Sequence, residues 1–558
     1  MKKLSYRIIL TFLLILSINI LLTKVSYSQV SQEWVRRYSG ISSSGSQGKS
    51  IKLDSESNVY VLVSASTDTS SNDYCVIKYS PSGTLLWQAI YNSPGNANDN
   101  SKAFTVTHTG DVYITGIREV NLEAHILTVK FNSIGQFQWA KIYNGGGPGD
   151  GAFDIILDRE EKIIVTGSTS VDNNNTYSLT IKYTSIGDTL WVRKFTQNSY
   201  SVNVKLAADD SDNVYTTGYH NIAFMQSNYL TLKYNKNGVL VWYSSYGLQP
   251  IGGGANCIAI DSSRNIYVAG NMYTLNPGYS DNALVKINPN GDTAWTRIYK
   301  GIGGNNQAGQ PKNITVTSDG NGIYYTTFCE NGTGGGAHDI ITLKYNSLGD
   351  SVWIRRYWGG VSGEPNEPAT LKLDKLNNVY VAGSAYYPSG GDNYVTIKYL
   401  PDGLQQWVAT FNGPLTNSGD YANDLIIDTN LVVYVTGTSS RQNNPFLWDA
   451  ATIKYNQPIG INTNGQYQLP LKFTLRQNYP NPFNNSTVLE YEIPVKSKVL
   501  LQIYNSIGQL IKTLINGEQN ASYYTIIFNA ENLSSGIYFY QLIADNSIIE
   551  TKKFILIK

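Results

Sequence analysis

The stretch Thr180-Ile-Lys-Tyr-Thr-Ser-Ile-Gly-Asp-Thr-Leu-Trp191 governs the reading of the whole chain. Its first half alternates apolar and polar residues and ends in Lys182-Tyr183. A polar turn containing Gly187 follows, and a second strand then carries Trp191 four residues after that glycine. Glycine at one fixed place in a hairpin loop is what a type I turn followed by a residue of positive φ requires, because a Cβ there would clash. The pattern recurs. Trp34, Trp87, Trp139, Trp191, Trp242, Trp295, Trp353 and Trp407 are spaced 51 to 58 residues apart, and each from Trp87 onward has a glycine four residues before it. A lysine followed by an apolar residue keeps the same beat from Lys78-Tyr79 to Lys454-Tyr455. Ahead of that pair, each unit carries an earlier hairpin, as in Ile258 to Gly270, where two apolar segments flank a turn of Asp, Ser and Asn.

Each unit therefore supplies four short antiparallel strands, a to d, and repetition of such a unit points to a β-propeller. The first tryptophan strand, Trp34 to Tyr38, has no a, b or c strand before it, whereas Lys454-Tyr455 has no tryptophan strand after it. Eight abc triplets and eight d strands balance only if the N-terminal strand completes the last unit. The expected fold is all-β: an eight-bladed β-propeller closed by the N-terminal strand, which removes the exposed edges of an open array, followed by a small C-terminal β-sandwich. Residues 34–455 resemble the SBBP family of propeller repeats in the tryptophan strand, the strand Asn378 to Gly383 and the Ile397-Lys-Tyr399 strand. Unit six departs from that pattern, since Asn321 to Phe328 lacks the closing glycine, which leaves its register open.

Composition agrees with an exported all-β protein. Only 15% of the residues are charged, while Gly (50) and Tyr (42) are abundant. Lys2, Lys3 and Arg7 precede an apolar run from Ile8 to Leu22, and Ser26-Tyr-Ser28 offers small residues for cleavage, so residues 1–28 read as a secretory signal. The remainder carries 38 Lys and Arg against 41 Asp and Glu, which gives no basic footprint for nucleic acid. Cys75, Cys257 and Cys329 form no CxxC and are odd in number, so neither a disulfide framework nor a zinc site is indicated.

After Tyr455 the rhythm stops, and the run from Gln457 to Gly465 has linker composition. The repeat domain is bounded at 29–457, the linker at 458–470 and a second domain at 471–558. In the last, strands are expected at Val488 to Ile493, Val499 to Tyr504, Tyr523 to Phe528, Ile537 to Ile543 and Lys553 to Ile557. It carries Asn478, Tyr479, Pro480, Asn481, Pro482, Phe483 and Asn484 in succession, then Tyr491-Glu-Ile-Pro494, Gly508 within Ile503 to Gln509, Gly536 within Ser535 to Tyr540, and a basic apolar end from Lys552 to Lys558. In these residues the domain resembles the type A C-terminal sorting domain of type IX secretion, with Asn485 where the family often has proline. The resemblance implies passage through the periplasm, docking on the outer-membrane secretion machinery, and release or attachment at the cell surface.

No catalytic constellation stands out. His108, His125, His220 and His338 lie in neither His-x-x-x-His nor Gly-x-Ser-x-Gly contexts. Eight units, seven of them with Trp four residues after a glycine, also resemble the pyrroloquinoline quinone dehydrogenases, but the adjacent cysteines and the CxxCH site of those enzymes are missing. A quinoprotein-like or polysaccharide-active enzyme is thus the alternative to a non-enzymatic module. No cofactor, metal or catalytic residue is assigned. The a–b and c–d turns should share one face, and the b–c and d–a loops the other. Two tryptophans outside the repeat positions, Trp358 and Trp448, fall in the second set of loops, with Tyr386, Tyr387 and Phe446 nearby. Aromatics in a polar setting suit stacking on sugar rings, so this is the expected recognition face of a monomer that contacts polysaccharide or other envelope components.

Overall fold

The computed structural model describes residues 30–457 and 472–557 apart from short stretches, most of them in loops, and among these residues there are strands but no helix. The signal segment and the linker lie outside the described residues. The first strand is β1 (Ser31–Tyr38); the first unit follows as β2 (Ser46–Leu53), β3 (Val59–Thr67), β4 (Ser70–Tyr79) and β5 (Leu85–Tyr91). β2 to β5 form one antiparallel sheet in chain order, and six further units repeat the arrangement. The last sheet takes Asp420–Ile427, Val433–Arg441 and Asn444–Asn456 as strands a to c and β1 as its fourth, with Trp34 opposite Lys454 and Tyr38 opposite Ala450. Strand a of each unit packs against strand a of the next, and β2 packs against strands a to c of the last sheet. The architecture is all-β and propeller-like.

Strand b is the buried centre of each sheet, which explains its uninterrupted apolar run: Val59, Tyr60, Val61, Leu62 and Val63 are all essentially inaccessible. The glycine that closes strand b answers a bulge in strand a. A Cβ on Gly167 would lie 1.8 Å from the Gly151 carbonyl oxygen, and one on Gly383 would lie 2.1 Å from that of Glu367. At both places strand a carries an extra residue, between Ala152 and Asp154 and between Pro368 and Thr370. Unit six has Thr327 there, and its strand a is the short Asn313–Val316, paired without a bulge. Thr327 Oγ1 donates to the Gly309 carbonyl at 2.7 Å instead. Its strands b and c stay in regular register from Ile323 opposite Tyr345 to Glu330 opposite His338, so the irregularity is confined to strand a.

The repeated tryptophans and glycines meet across neighbouring units. Gly83, Gly135, Gly187, Gly238, Gly291, Gly349 and Gly403 all have positive φ, and a Cβ on Gly238 would lie 2.7 Å from the Trp191 ring of the preceding unit. The indole N–H then reaches past the glycine to a turn carbonyl. Trp34 Nε1 donates to Pro81 O at 3.1 Å, Trp242 to Pro289 O at 3.0 Å and Trp353 to Pro401 O at 3.1 Å. The repeated lysine donates to the same oxygens, at 3.0 Å from Lys454 and 2.7 Å from Lys344. Lysine also meets the aspartate that opens the a–b turn, most closely in the buried Lys182–Asp158 pair at 2.7 Å. Burial raises the corresponding Asp54 carboxyl, but hydrogen bonds from Asn58, Lys78 and Tyr60 outweigh it and hold the group below its ordinary value.

At the junction of units seven and eight there is no c–d turn, because the chain leaves the sheet after Asn456. Gln457 stands two residues after Tyr455, the place that Pro81 occupies relative to Tyr79, and it is buried. Its side-chain oxygen accepts from Lys398 Nζ at 2.9 Å and from Trp407 Nε1 at 3.3 Å. Its amide donates to Tyr380 Oη at 2.8 Å and to the Leu431 carbonyl. Gln457 is therefore an integral part of the repeat domain and not linker.

The C-terminal domain pairs Thr474–Leu475, Ser486–Ile493 and Ser522–Asn529 in one sheet. The other contains Leu510–Gln519, Ser497–Asn505, Gly536–Ala544 and Ser547–Leu556, in that order. Leu489, Tyr491, Leu501, Tyr540 and Phe554 belong to the core the two sheets share. The edge strand Leu510–Gln519 was not among the expected ones; its first four residues are all exposed, so it carries no clean alternation.

Candidate functional site

The a–b and c–d turns do share a face, as the contact of Lys78 with Asp54 requires. On the opposite face the loops differ in length: in unit two, strands b and c are joined by the two-residue turn Asn121-Leu122, both with positive φ. Trp358 lies in the loop that enters unit seven and is 42% exposed. The next residue, Gly359, packs on the backbone of Tyr386, where a Cβ would lie 1.9 Å from the carbonyl oxygen. Asn366 Oδ1 ties the two segments, accepting from Gly359 N at 3.0 Å and Tyr386 N at 3.2 Å.

Tyr386 pairs in register with Asp392, whose carboxylate accepts from Tyr421 Oη at 2.9 Å. The Tyr421 ring meets Trp448, with centroids 5.9 Å apart. The loop that carries Trp358 is thus tied to the backbone of Tyr386, and Asp392 and Tyr421 link that strand pair to Trp448 across units seven and eight. Tyr387 is turned inward, its hydroxyl 2.6 Å from that of Tyr357 and its ring against the core of unit seven. The side chain of Phe446 lies outside the described residues.

Tyr421 and Asp392 escaped the sequence reading. Tyr421 occupies a strand a position where other units have Gly151, Val202 and Gly254, and only alignment of the bulges would have singled it out. Burial raises the Asp392 carboxyl; the Tyr421 hydrogen bond opposes this, and Glu364 and Glu367 add to it. Glu367 also borders a cavity of about 380 Å³ lined by Tyr273, Lys312 and Phe328. Tyr421 and Trp448 thus stand beside a small acidic group. Among the described residues no cluster of His, Cys, Asp and Glu is arranged to hold a metal ion.

In the C-terminal domain the motif residues staple its first segment to its last strand. Asn478 is buried; its N–H donates to Tyr540 Oη at 2.7 Å and its amide to Thr487 Oγ1 at 2.9 Å. Asn481 Oδ1 accepts from Ile555 N at 2.8 Å. Pro482 follows it, and Phe483 exchanges backbone hydrogen bonds with Ile555 and Ile557 and sets its ring 5.3 Å from that of Phe554. Asn484 is exposed, Gly508 supplies a positive φ in its turn, Gly536 begins a strand, and Lys552 pairs with Glu550 at 2.7 Å. Tyr479, Pro480 and Lys558 lie outside the described residues.

Residues 477–558 match the secretion system C-terminal sorting domain family. This segment is a type IX sorting domain: it implies engagement of the type IX machinery and delivery to the cell surface or the extracellular space. No curated protein matches the chain. One similar solved structure is PorZ, an essential bacterial surface component of the type IX secretion system of Porphyromonas gingivalis. It is 13% identical, with 91% of this chain and 74% of that one covered and a TM-score of 0.37. Another is Sqt1 from Chaetomium thermophilum, 9% identical, with 77% and 99% covered and a TM-score of 0.46. A third is a polysaccharide lyase of family 25, an ulvan lyase, 11% identical, with 63% and 90% covered and a TM-score of 0.38.

Proposed function

We propose that this chain is a non-enzymatic recognition module exported by type IX secretion, and that its eight four-stranded sheets are the blades of a ring closed by β1. Closure is supported by the pairing of β1 with Asn444–Asn456 and by the packing of β2 on the last sheet. An SBBP-type repeat and an N-terminal secretory signal belong to the same reading. The ring presents its loop face to a polysaccharide or another component of the cell envelope.

The observation that carries the reading is the chain of contacts from the Trp358 loop through Tyr386, Asp392 and Tyr421 to Trp448. Flat aromatic faces beside hydrogen-bonding carboxylates match the apolar faces and hydroxyl edges of sugar rings. The test is binding of the secreted chain to a panel of polysaccharides and envelope fractions, beside a Trp358→Ala/Trp448→Ala double variant. Saturable binding weakened at least about tenfold in the double variant is the expected result, the scale of losing two aromatic anchors. A folded double variant that binds every partner as tightly as the parent contradicts the proposal.

A further inference from the structure

The cavity of about 380 Å³ lies where the repeat is least regular, at the meeting of units five, six and seven, and Asn271, Tyr273, Gln310, Lys312, Phe328 and Glu367 line it. That volume is at the small end of the roughly 300–1,000 Å³ of ligand pockets, so it suits one small unit. Strand a of unit six begins only at Asn313, and the residues before it are tied to their neighbours instead. Ala308 N donates to the Ser280 carbonyl at 2.9 Å, and Ser280 Oγ donates to the Ala308 carbonyl at 2.7 Å. Gly309 N donates to the Phe328 carbonyl at 2.7 Å, and the Gly309 carbonyl accepts from Asn282 Nδ2 at 2.6 Å. Gly309 lies against the Phe328 ring, where a Cβ would come within 2.1 Å. The His338 ring meets the same ring with centroids 4.6 Å apart, and Lys312 Nζ stands 5.7 Å over it. The wall of the cavity is therefore built in advance of any ligand.

The polar groups of that wall are largely unspent. Asn271 is only 5% exposed; its Oδ1 accepts from Asn256 Nδ2 at 3.5 Å, while its own amide N–H groups donate to no described residue. A buried amide without an acceptor is costly, and a ligand oxygen in the cavity relieves it. Gln310, Lys312 and Glu367 are exposed, and among the described residues none of their side chains forms a hydrogen bond or an ion pair. One cation and one anion thus face the same space without pairing, and the lining has no net formal charge. Planar amides and a carboxylate are matched to the donors and acceptors of vicinal hydroxyls, and the Tyr273 and Phe328 rings to the C–H face of a sugar.

One side chain ties this cavity to the Trp358 loop. Asn366 Nδ2 donates to the carbonyl of His338, the residue stacked on Phe328, at 2.9 Å, while its Oδ1 holds Gly359 and Tyr386. Glu367 follows it directly in the chain and borders the cavity. We infer that the cavity is a binding site for a neutral hexose unit of a glycan, and that the same glycan continues past Glu367 toward the loop that carries Trp358. The inference rests on the proposed recognition of glycans and names the chemistry of one bound unit.

The test is calorimetry and ligand-observed NMR on the full secreted chain with glucose, galactose, mannose and their disaccharides, and with glucuronic acid and glucosamine as charged probes. The expected result is saturable binding of at least one neutral sugar, with a Kd on the order of 1 mM, tighter than either charged probe. Gln310→Ala/Glu367→Ala, which removes two exposed side chains without partners, keeps the parent Tm and weakens that binding at least about tenfold. Trp358→Ala/Trp448→Ala leaves it unchanged. No saturation by any neutral sugar, tighter binding of a charged probe, or equal affinity in Gln310→Ala/Glu367→Ala overturns the site. The polysaccharide panel on the same variants separates the two ideas. Polysaccharide binding lost in the tryptophan variant, with no response to small sugars, removes the cavity alone. Small-sugar binding that only the cavity variant weakens, with polysaccharide binding intact in the tryptophan variant, supports the cavity and removes the aromatic face.

Discussion

Seven junctions between units are built one way and the eighth another. In the seven, a tryptophan N–H reaches a main-chain carbonyl in the c–d turn of the next unit, over a glycine of positive φ. At the eighth the chain is interrupted, and the Gln457 side chain supplies the oxygen that Lys398 and Trp407 need. The difference teaches where sequence controls the junctions. An ordinary junction draws on backbone that any residue provides, so it tolerates substitution of the accepting residue; the seam depends on one side chain and on a strand from the other end of the chain.

The largest expected effect comes from removing that strand. Without residues 30–38, the last sheet loses Trp34 and one ladder of hydrogen bonds, and an edge and a packed face are opened. A loss of about 5 kcal/mol is expected in denaturant unfolding of residues 40–458 compared with residues 29–458. Equal stability would remove the distinction between seam and ordinary junction.

Gln457→Ala should cost about 2–4 kcal/mol, since it leaves the Lys398 ammonium and the Trp407 N–H buried without their acceptor. Pro401→Ala, at the matching place of an ordinary turn, should cost under about 1 kcal/mol, because the accepting oxygen is main chain. The same unfolding measurement on both variants sharpens the comparison, and equal losses would break it. Gly238→Ala should cost about 1–3 kcal/mol, combining a positive φ with a Cβ pressed on the Trp191 ring. A further effect is one of pH. Burial lowers Lys398 to about 8 although Asp374 pulls it up, against an ordinary 10.5. Between those values the unfolded chain binds the proton and the folded chain does not, so stability rises as pH increases from 8 toward 10. Lys398→Met should flatten that part of the unfolding profile.

The repeat was legible because tryptophan and lysine mark every unit and glycine every unit but the last: tryptophan and glycine meet across units, and lysine serves the same turn carbonyl. Even the N-terminal strand could be placed in the last unit by counting strands. The sorting motif was legible for a similar reason, since Asn478, Asn481 and Phe483 each make a contact that few other residues could make. Gln457 was not, because a buried acceptor and a linker residue look alike when the unit that needs it is fifty residues away. Of the face proposed for recognition, Trp358 and Trp448 were expected from the sequence and Tyr421 and Asp392 were not, since both lie on strands and meet only through the approach of two sheets.

Closure by β1 is tested most directly by amide hydrogen exchange of the intact secreted chain. The account predicts that the β1 amides hydrogen-bonded to Asn444–Asn456 exchange as slowly as those of the central strands, near the rate set by global unfolding. Exchange of residues 31–38 at the rate of free chain, with the other sheets protected, would contradict it.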